Sequence, residues 1–477
     1  MIESNQVNID GIYYRRLTES QLQKIHEASL EVLERTGVRF QEDEALALFK
    51  KAGIDIQDNN RVHIPAWRVE WALGLAPKML MIYNQKGEPV IRLSGRKSYF
   101  GNGSDLLHII DHKTNERRAP VLRDIEDLVH ILDYLPHIDF VMSGFIPSDA
   151  GPDKAEREQM RVMLENTKKP IIYVTTSLQN TQDSVAMAEV CAGGAEELRR
   201  HPFAVNYINI AHPLRHNPDT VQKLLWLSDK GLPFVYRPSI VTRGLSTPIT
   251  AAGFLTVNNV AALAGLVLSQ LKREGAPFIR CSHAGGTFNM KTTVGLHSAP
   301  EVRGFNEELA HFYRLPCFGI GGTSASKCVD QQAALEAALT LITSVQAGAQ
   351  LIHDIGYMDS GTTTSLAQIL ICHEIIDWVK KYMQGLEIND ETLALDWIHK
   401  AGTDQSHIST EHTLAHFRED NYPDLLDHRR FEDWFNDGAS DLAFRATRKV
   451  DEILNEHHPQ ELDEGIQSQL QKIIDKE

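Results

Sequence analysis

Between Lys97 and Asp359 the chain alternates between two kinds of pattern. Short, almost continuously apolar runs are each followed by a longer stretch with apolar residues at helical spacing. Eight runs can be read: Ser98–Gly101, Phe140–Ser143, Ile171–Val174, Ala204–Ile208, Phe234–Tyr236, Phe278–Cys281, Cys317–Ile320 and Gln350–His353. Several follow a proline, as at Pro170, Pro202, Pro233, Pro277 and Pro316. A proline at the start of a strand leaves no ladder bond unmade. Runs this apolar predict parallel strands buried on both faces, joined by helical crossovers. The expected fold is α/β: a closed (β/α)8 TIM barrel, which typically needs roughly 250 residues. A doubly wound open sheet is the alternative, because alternation does not prove closure.

The flanks differ from this beat. Residues 1–96 are expected to form an N-terminal helical cap with a β-hairpin. Thr18 and Gln21 make a capping box ahead of an amphipathic helix that Gly37 stops. A second helix covers Glu42–Lys51, a third starts at Pro65, and the hairpin is read in Met79–Tyr83 and Pro89–Leu93. Residues 97–360 hold the barrel, with helices at Leu122–Leu135, Asp153–Asn166, Thr181–Ala192, Pro218–Lys230, Thr250–Arg273, Ala299–Tyr313 and Asp330–Ala347. Residues 361–477 read as a polar helical extension whose charged last helix, Asp463–Lys476, is expected to fray.

A barrel puts its site at the C-terminal ends of the strands. The residues there include Asn102, Gly103 and Asp105, then Asn209 and His212, His283, Gly321 and Gly322, and Asp354 and Tyr357. Phe100, Tyr207 and His353 lie on the strands beside them. Aromatic faces attract quaternary ammonium ions, which cannot donate a hydrogen bond, although aromatics on barrel strands also serve as plain core. Asp105, Asp354 and Asp359 could add counter-charge. Arg237 and Arg280 could clamp a carboxylate or form ion pairs in the barrel wall. The helix from Thr250 has a cap-and-proline start that could offer free N–H groups to an anion at the barrel mouth, or could simply initiate the helix.

Composition narrows the classes. The chain has 477 residues, 42% of them hydrophobic, enough for a large core. Its net charge of −16 argues against a nucleic-acid partner. The polar start and the lack of an apolar stretch near 20 residues predict a cytoplasmic protein with no membrane contact. Five cysteines without a CxxC pair predict free thiols. The glycine-rich Gly319–Lys327 lacks the P-loop ending, no Gly-x-Ser-x-Gly elbow occurs, and His412 and His416 lack the glutamate of a zinc protease. No tightly bound metal is expected.

Three stretches are more specific: Arg243–Gly253 (RGLSTPITAAG), Ser298–Glu301 (SAPE) and Leu315–Lys327 (LPCFGIGGTSASK), with Asp330-Gln331-Gln332 after the last. Together with His412–Arg418 (HTLAHFR) and Trp434, they resemble the trimethylamine methyltransferase family of corrinoid-dependent enzymes, over nearly the whole chain and in the same order. The resemblance implies a (β/α)8 barrel. It also implies a corrinoid, Co(I) cobalamin, carried by a partner corrinoid protein, and a homo-oligomer.

The family's archetype carries pyrrolysine in the barrel; this chain has none, and Gly321-Gly322-Thr323 stands near that position. Family members without pyrrolysine resemble methyltransferases for quaternary amines, glycine betaine being the best-known donor. The chemistry agrees. A quaternary nitrogen leaves as a neutral tertiary amine, so displacement of its methyl group needs positioning and water exclusion but no general acid. The expected substrate-binding residues are Phe100, Asn102, Asp105, Tyr207, Arg237, His283, Gly321, Gly322, His353 and Tyr357, with no catalytic acid or base. Proline betaine or carnitine would fit the same logic. A non-catalytic quaternary-amine-binding barrel, or a metal-dependent hydrolase using His212, His283, His353 and Asp354, are the alternatives.

Overall fold

The predicted runs form the staves of a ring. The computed structural model describes residues 14–238, 242–282, 286–419 and 423–476. Seven strands make one parallel sheet, in the spatial order Tyr99–Phe100, Leu351–His353, Cys317–Ile320, Phe278–Cys281, Phe234–Arg237, Ala204–Asn209 and Ile171–Val174. The remaining run closes it: Gly101 bridges Phe140 and Val141 bridges Ile171, both in parallel. This stave is short because side chains take over its ladder. The Phe100 N–H donates to Asp139 Oδ2 at 2.8 Å, and the Met142 N–H donates to Asn102 Oδ1 at 2.7 Å.

The pleat of the strands separates two cores. One parity turns inward: Tyr99, Phe140, Met142, Ile172, Val205, Tyr207, Val235, Ile279, Cys281, Phe318 and Leu351 form a cluster inside the barrel. The other parity, including Phe100, Tyr173, Ile208, Phe234, Tyr236, Phe278 and Ile352, joins the larger core between barrel and helices. The hairpin Leu80–Tyr83 with Pro89–Leu93 plugs the bottom, its Ile82, Ile91 and Leu93 completing the inner cluster. The bottom is therefore sealed and the top is left for chemistry.

Helices fill the crossovers close to their expected limits, for example Leu122–Tyr134, Pro218–Lys230 and Gln331–Gln346. The helix read as Ala299–Tyr313 is instead a 3-10 turn at Pro300–Val302 and a helix over Phe305–Tyr313, and Ala251–Lys272, which keeps its expected limits to within a residue, departs from the reading of composition. At 22 residues it is long and apolar enough to cross a membrane, contrary to the expectation that no such stretch exists. Here 72% of its most apolar window is buried inside the protein, against the helices Glu19–Glu31 and Ala66–Leu75. An all-round apolar helix of this kind is a core helix.

Small sheets built from two- and three-residue strands were not foreseen. Arg215–His216, Val38–Phe40, Arg61–His63 and Asp55–Gln57 form one in the N-terminal region. Tyr357–Met358, Thr363–Thr364, His108–Ile110 and Arg117–Arg118 form another at the barrel mouth. The last helix, Glu464–Ile474, does not fray. Leu470 and Ile474 are buried, and Arg157 Nη1 donates to the Ile474 carbonyl at 3.1 Å and to that of Lys476 at 2.8 Å.

Candidate active site

A cavity of about 930 Å³ lies over the C-terminal ends of the strands. Its floor comes from inward-facing strand residues at successive staves: Tyr207 and Asn209, Arg237, and His353. Asp105 and Ser104 close one side, and Asp354 and Tyr357 another. Its roof is a hairpin, Phe288–Asn289 paired antiparallel with Val294–Gly295, followed by Leu296 and His297.

All three carboxylates that line the cavity sit on left-handed backbone, Asp359 at φ 47° and, facing each other, Asp105 at φ 64° and Asp354 at φ 70°. Non-glycine residues hold such a conformation only where their surroundings over-determine it. Gly103 explains how Asp105 and Asp354 come together. A methyl group there would collide with Asp354 Oδ1 and the Tyr357 hydroxyl, so only glycine lets the chain pass. The Tyr357 hydroxyl donates to the Ser104 carbonyl and ties the two loops.

Aromatic rings back the charges. Tyr207 packs on Phe318 at 5.3 Å between centroids and on His353 at 5.6 Å, and Phe318 lies 4.3 Å from His353. The Arg237 guanidinium stands 5.9 Å over the Tyr207 ring. Its Nη1 donates to Asn209 Oδ1 at 3.2 Å, while its Nε is buried without a hydrogen-bond partner.

The ionisable groups are pushed apart. His353 Nδ1–H donates to the Gly319 carbonyl at 2.7 Å. Burial pulls this ring down to about 4, so at neutral pH it is uncharged and Nε2, 3.3 Å from Asp354 Oδ1, carries no proton. Asp354 is buried too, but the neighbouring histidines and Arg237 outweigh that cost and hold its carboxyl down to about 2. His297 Nε2 lies 3.0 Å from Asp354 Oδ2. Asp105 opens onto the cavity, yet desolvation pushes it up to about 6, with Glu156 and Asp354 adding repulsion and Ser104 and Arg237 opposing. Burial also raises the Cys281 thiol to about 12, so it stays protonated near Tyr207. The site thus offers fixed negative charge, aromatic faces and two arginines, Arg117 near Asp359 at the rim and Arg237 on the floor, and among the described residues no acid–base pair is aimed at a common point.

The sequence model of the trimethylamine methyltransferase (MTTB) family matches residues 4–477. The chain belongs to this family. A trimethylamine methyltransferase of Desulfitobacterium hafniense is 32% identical, over 100% of this chain and 96% of that protein. One from Methanosarcina barkeri is 30% identical, over 98% and 96%. A glycine betaine methyltransferase of Desulfitobacterium hafniense is 27% identical, over 97% and 96%. The crystal structure of the Methanosarcina barkeri monomethylamine methyltransferase superposes with a TM-score of 0.53 at 10% identity, covering 92% of this chain and 89% of that one. That likeness is one of fold.

Within this methyltransferase family barrel, five of the ten expected substrate-binding residues line the cavity, Asp105, Tyr207, Arg237, His353 and Tyr357, together with the strand-end and counter-charge candidates Asn209, Asp354 and Asp359. Four of the ten lie behind its wall. Phe100 has outward parity and packs in the helix-side core, with Lys380 Nζ 5.4 Å over its ring. Asn102 spends its amide on the Met142 and Gly103 carbonyls, at 2.8 and 2.9 Å. Gly321 is hemmed in by Ile352 and Leu341, and Gly322 turns the chain at φ 72° against Ile355. His283 lies outside the described residues. Arg280 also faces outward and donates to the Asn306 carbonyl at 2.8 Å, which leaves Arg237 as the arginine floor of the cavity. His212 accepts the Leu214 N–H at 3.2 Å through Nδ1. Sequence reasoning missed His297, Thr242 and Leu296, which reach the site from loops with no periodic signal.

Proposed function

We propose that the protein transfers a methyl group from a quaternary amine, glycine betaine being the leading candidate, to the Co(I) corrinoid of a partner corrinoid protein. In this step the N–C bond breaks with its electron pair going to nitrogen, and dimethylglycine leaves as a neutral amine. The corrinoid, as methyl acceptor, supplies the nucleophile. Arg237 is the observation that carries the choice of donor. It is a cavity arginine with no carboxylate ion pair among the described residues and an unpartnered Nε. Trimethylamine would give it nothing to bind, whereas the carboxylate of a betaine would.

The other residues follow from that orientation. Asp105 and the rings of Tyr207 and Tyr357 receive the quaternary head, which is attracted by charge and by π-faces and asks for no hydrogen bond. Asp354 fixes a second negative charge behind them. Roof and floor exclude water, so the chain's contribution is positioning and desolvation rather than proton transfer. A surface for the partner is at hand. Leu107, Ile146, Leu245, Ile249 and Met290, on loops that follow the strands, are 53%, 46%, 66%, 57% and 80% exposed around the mouth. Apolar side chains such as Leu335, Trp378, Leu386 and Ile408, exposed on the C-terminal half, give a homo-oligomer a face to bury.

The cavity, at about 930 Å³, is much larger than glycine betaine. Proline betaine and carnitine are therefore donors of the same class with room to fit. NMR on methyl-labelled glycine betaine, incubated with the reduced corrinoid protein, tests the reading. Stoichiometric dimethylglycine is expected. Its absence with every betaine tried, while trimethylamine is consumed, would overturn the choice of donor.

A further inference from the structure

We propose that His297 is a positioning residue: by holding Asp354 it fastens the hairpin roof over the cavity and keeps that carboxylate away from Arg237. The inference deepens the functional reading and rests on it for the substrate measurements alone.

The roof is tied down at two places. At its base, Arg243 Nη2 donates to Thr287 Oγ1 at 2.7 Å, and the Phe288 N–H donates to the Arg243 carbonyl at 3.1 Å. From there the hairpin reaches out over the mouth, where Met290 is 80% exposed. The chain returns through Leu296, and its descent ends at His297. The His297 carbonyl accepts from Arg303 and, at 3.2 Å, from Thr323 Oγ1, which anchors the backbone to the barrel wall. The ring then turns to the cavity, where Nε2 meets Asp354 Oδ2 at 3.0 Å.

Asp354 depends on this contact. Its other oxygen faces His353 Nε2 at 3.3 Å, but the His353 proton is on Nδ1 and goes to Gly319. Among the described residues His297 is therefore the side chain that donates a hydrogen bond to Asp354 at neutral pH. A buried carboxylate that loses its donor must find another or accept a desolvation cost. Two cations act on Asp354, Arg237 and Arg303; Arg303 is committed to the carbonyls of Ile320 and His297 and to Thr323 Oγ1, whereas Arg237 lines the same cavity as Asp354 and has a donor to spare. Without His297, Asp354 would turn to that guanidinium, occupy the position meant for a substrate carboxylate, and release the roof.

Two variants test this, His297→Ala and His297→Gln; the glutamine keeps an N–H at comparable reach. In hydrogen exchange of the substrate-free protein, amides of residues 286–297 should exchange roughly tenfold faster in the alanine variant and at the wild-type rate in the glutamine variant. Amides of the core helix Ala251–Lys272 should not change. In turnover, His297→Ala should raise KM for glycine betaine roughly tenfold with kcat within about threefold, the pattern of lost binding, and His297→Gln should restore it. Unchanged exchange of 286–297 in the alanine variant overturns the proposal. So does a glutamine variant as impaired as the alanine one, since that would assign the effect to ring packing. Where the alanine variant loosens the core as well, the glutamine variant decides. A wild-type protein that turns over no quaternary amine would sink the functional reading, and the exchange result would still judge the latch.

Discussion

Replacing Arg237 with methionine should separate donors by their carboxylate. The guanidinium holds Asn209 Oδ1 at 3.2 Å and has no carboxylate partner among the described residues, so its charge is available to substrate. A bound carboxylate gains charge-assisted hydrogen bonds worth about 1.5–3 kcal/mol in a partly desolvated site. Their loss corresponds to roughly 10- to 150-fold in kcat/KM, at 1.36 kcal/mol per decade. Methionine keeps much of the length and the contact with Tyr207 while removing the charge. The assay is kcat/KM for glycine betaine and for tetramethylammonium, which shares the cationic head and lacks the carboxylate. Betaine turnover should fall by the stated factor. Tetramethylammonium turnover should hold or improve, because a positive charge near its head has gone. Arg237→Lys should fall in between, since an ammonium cannot reproduce the planar fork. Equal losses for both donors would refute the reasoning and assign Arg237 to holding Asn209 and Tyr207 in place.

Three further outcomes follow. Asp105, pushed up to about 6, should give wild-type KM for a quaternary amine a limb that falls as pH rises through about 6, and Asp105→Asn should raise KM and erase the limb. Because its folded pKa lies above the unfolded carboxylate value near ~4, protonation favours the native state. The stability it contributes is present below ~4 and lost as pH rises through about 6, so Asp105→Asn should raise Tm at pH 7–8 while it impairs binding. Gly103→Ala should force Asp354 and Tyr357 apart, lowering Tm and abolishing betaine binding measured by calorimetry. Phe318→Ala should cost about 3–5 kcal/mol in urea unfolding, because a fully buried ring that supports both Tyr207 and His353 is removed.

The barrel was legible because parallel strands buried on both faces write themselves as apolar runs, and all eight staves fall on the runs read from the sequence. The same continuity hid the parity. In a run such as Ser98–Gly101 nothing in the hydropathy says that Tyr99 turns in and Phe100 turns out, so Phe100 was assigned to the site. Arg237 and Arg280 posed the same question, and register answered it: one reaches the cavity, the other a helix carbonyl. Asn102 follows the strand Tyr99–Phe100, and the short second stave claims its amide for backbone pairing, which no sequence pattern announces. His297 could not be read at all. It acts across 57 residues through an irregular loop, and only the folded backbone brings it to Asp354. The helix Ala251–Lys272 was legible within a residue at each end, but not as a long apolar stretch, because Asn258 and Asn259 interrupt its apolar run, and both are buried.

The most direct measurement is the absorbance of photoreduced Co(I) cobalamin on addition of protein and a methyl donor. Free cobalamin serves first and the cognate corrinoid protein second, with glycine betaine and trimethylamine run in parallel. Conversion to the methylated spectrum with glycine betaine, and none with trimethylamine, is the predicted result. Conversion with trimethylamine and not with any betaine would contradict the assignment of Arg237, and no conversion with any amine in the presence of the cognate partner would contradict the account as a whole.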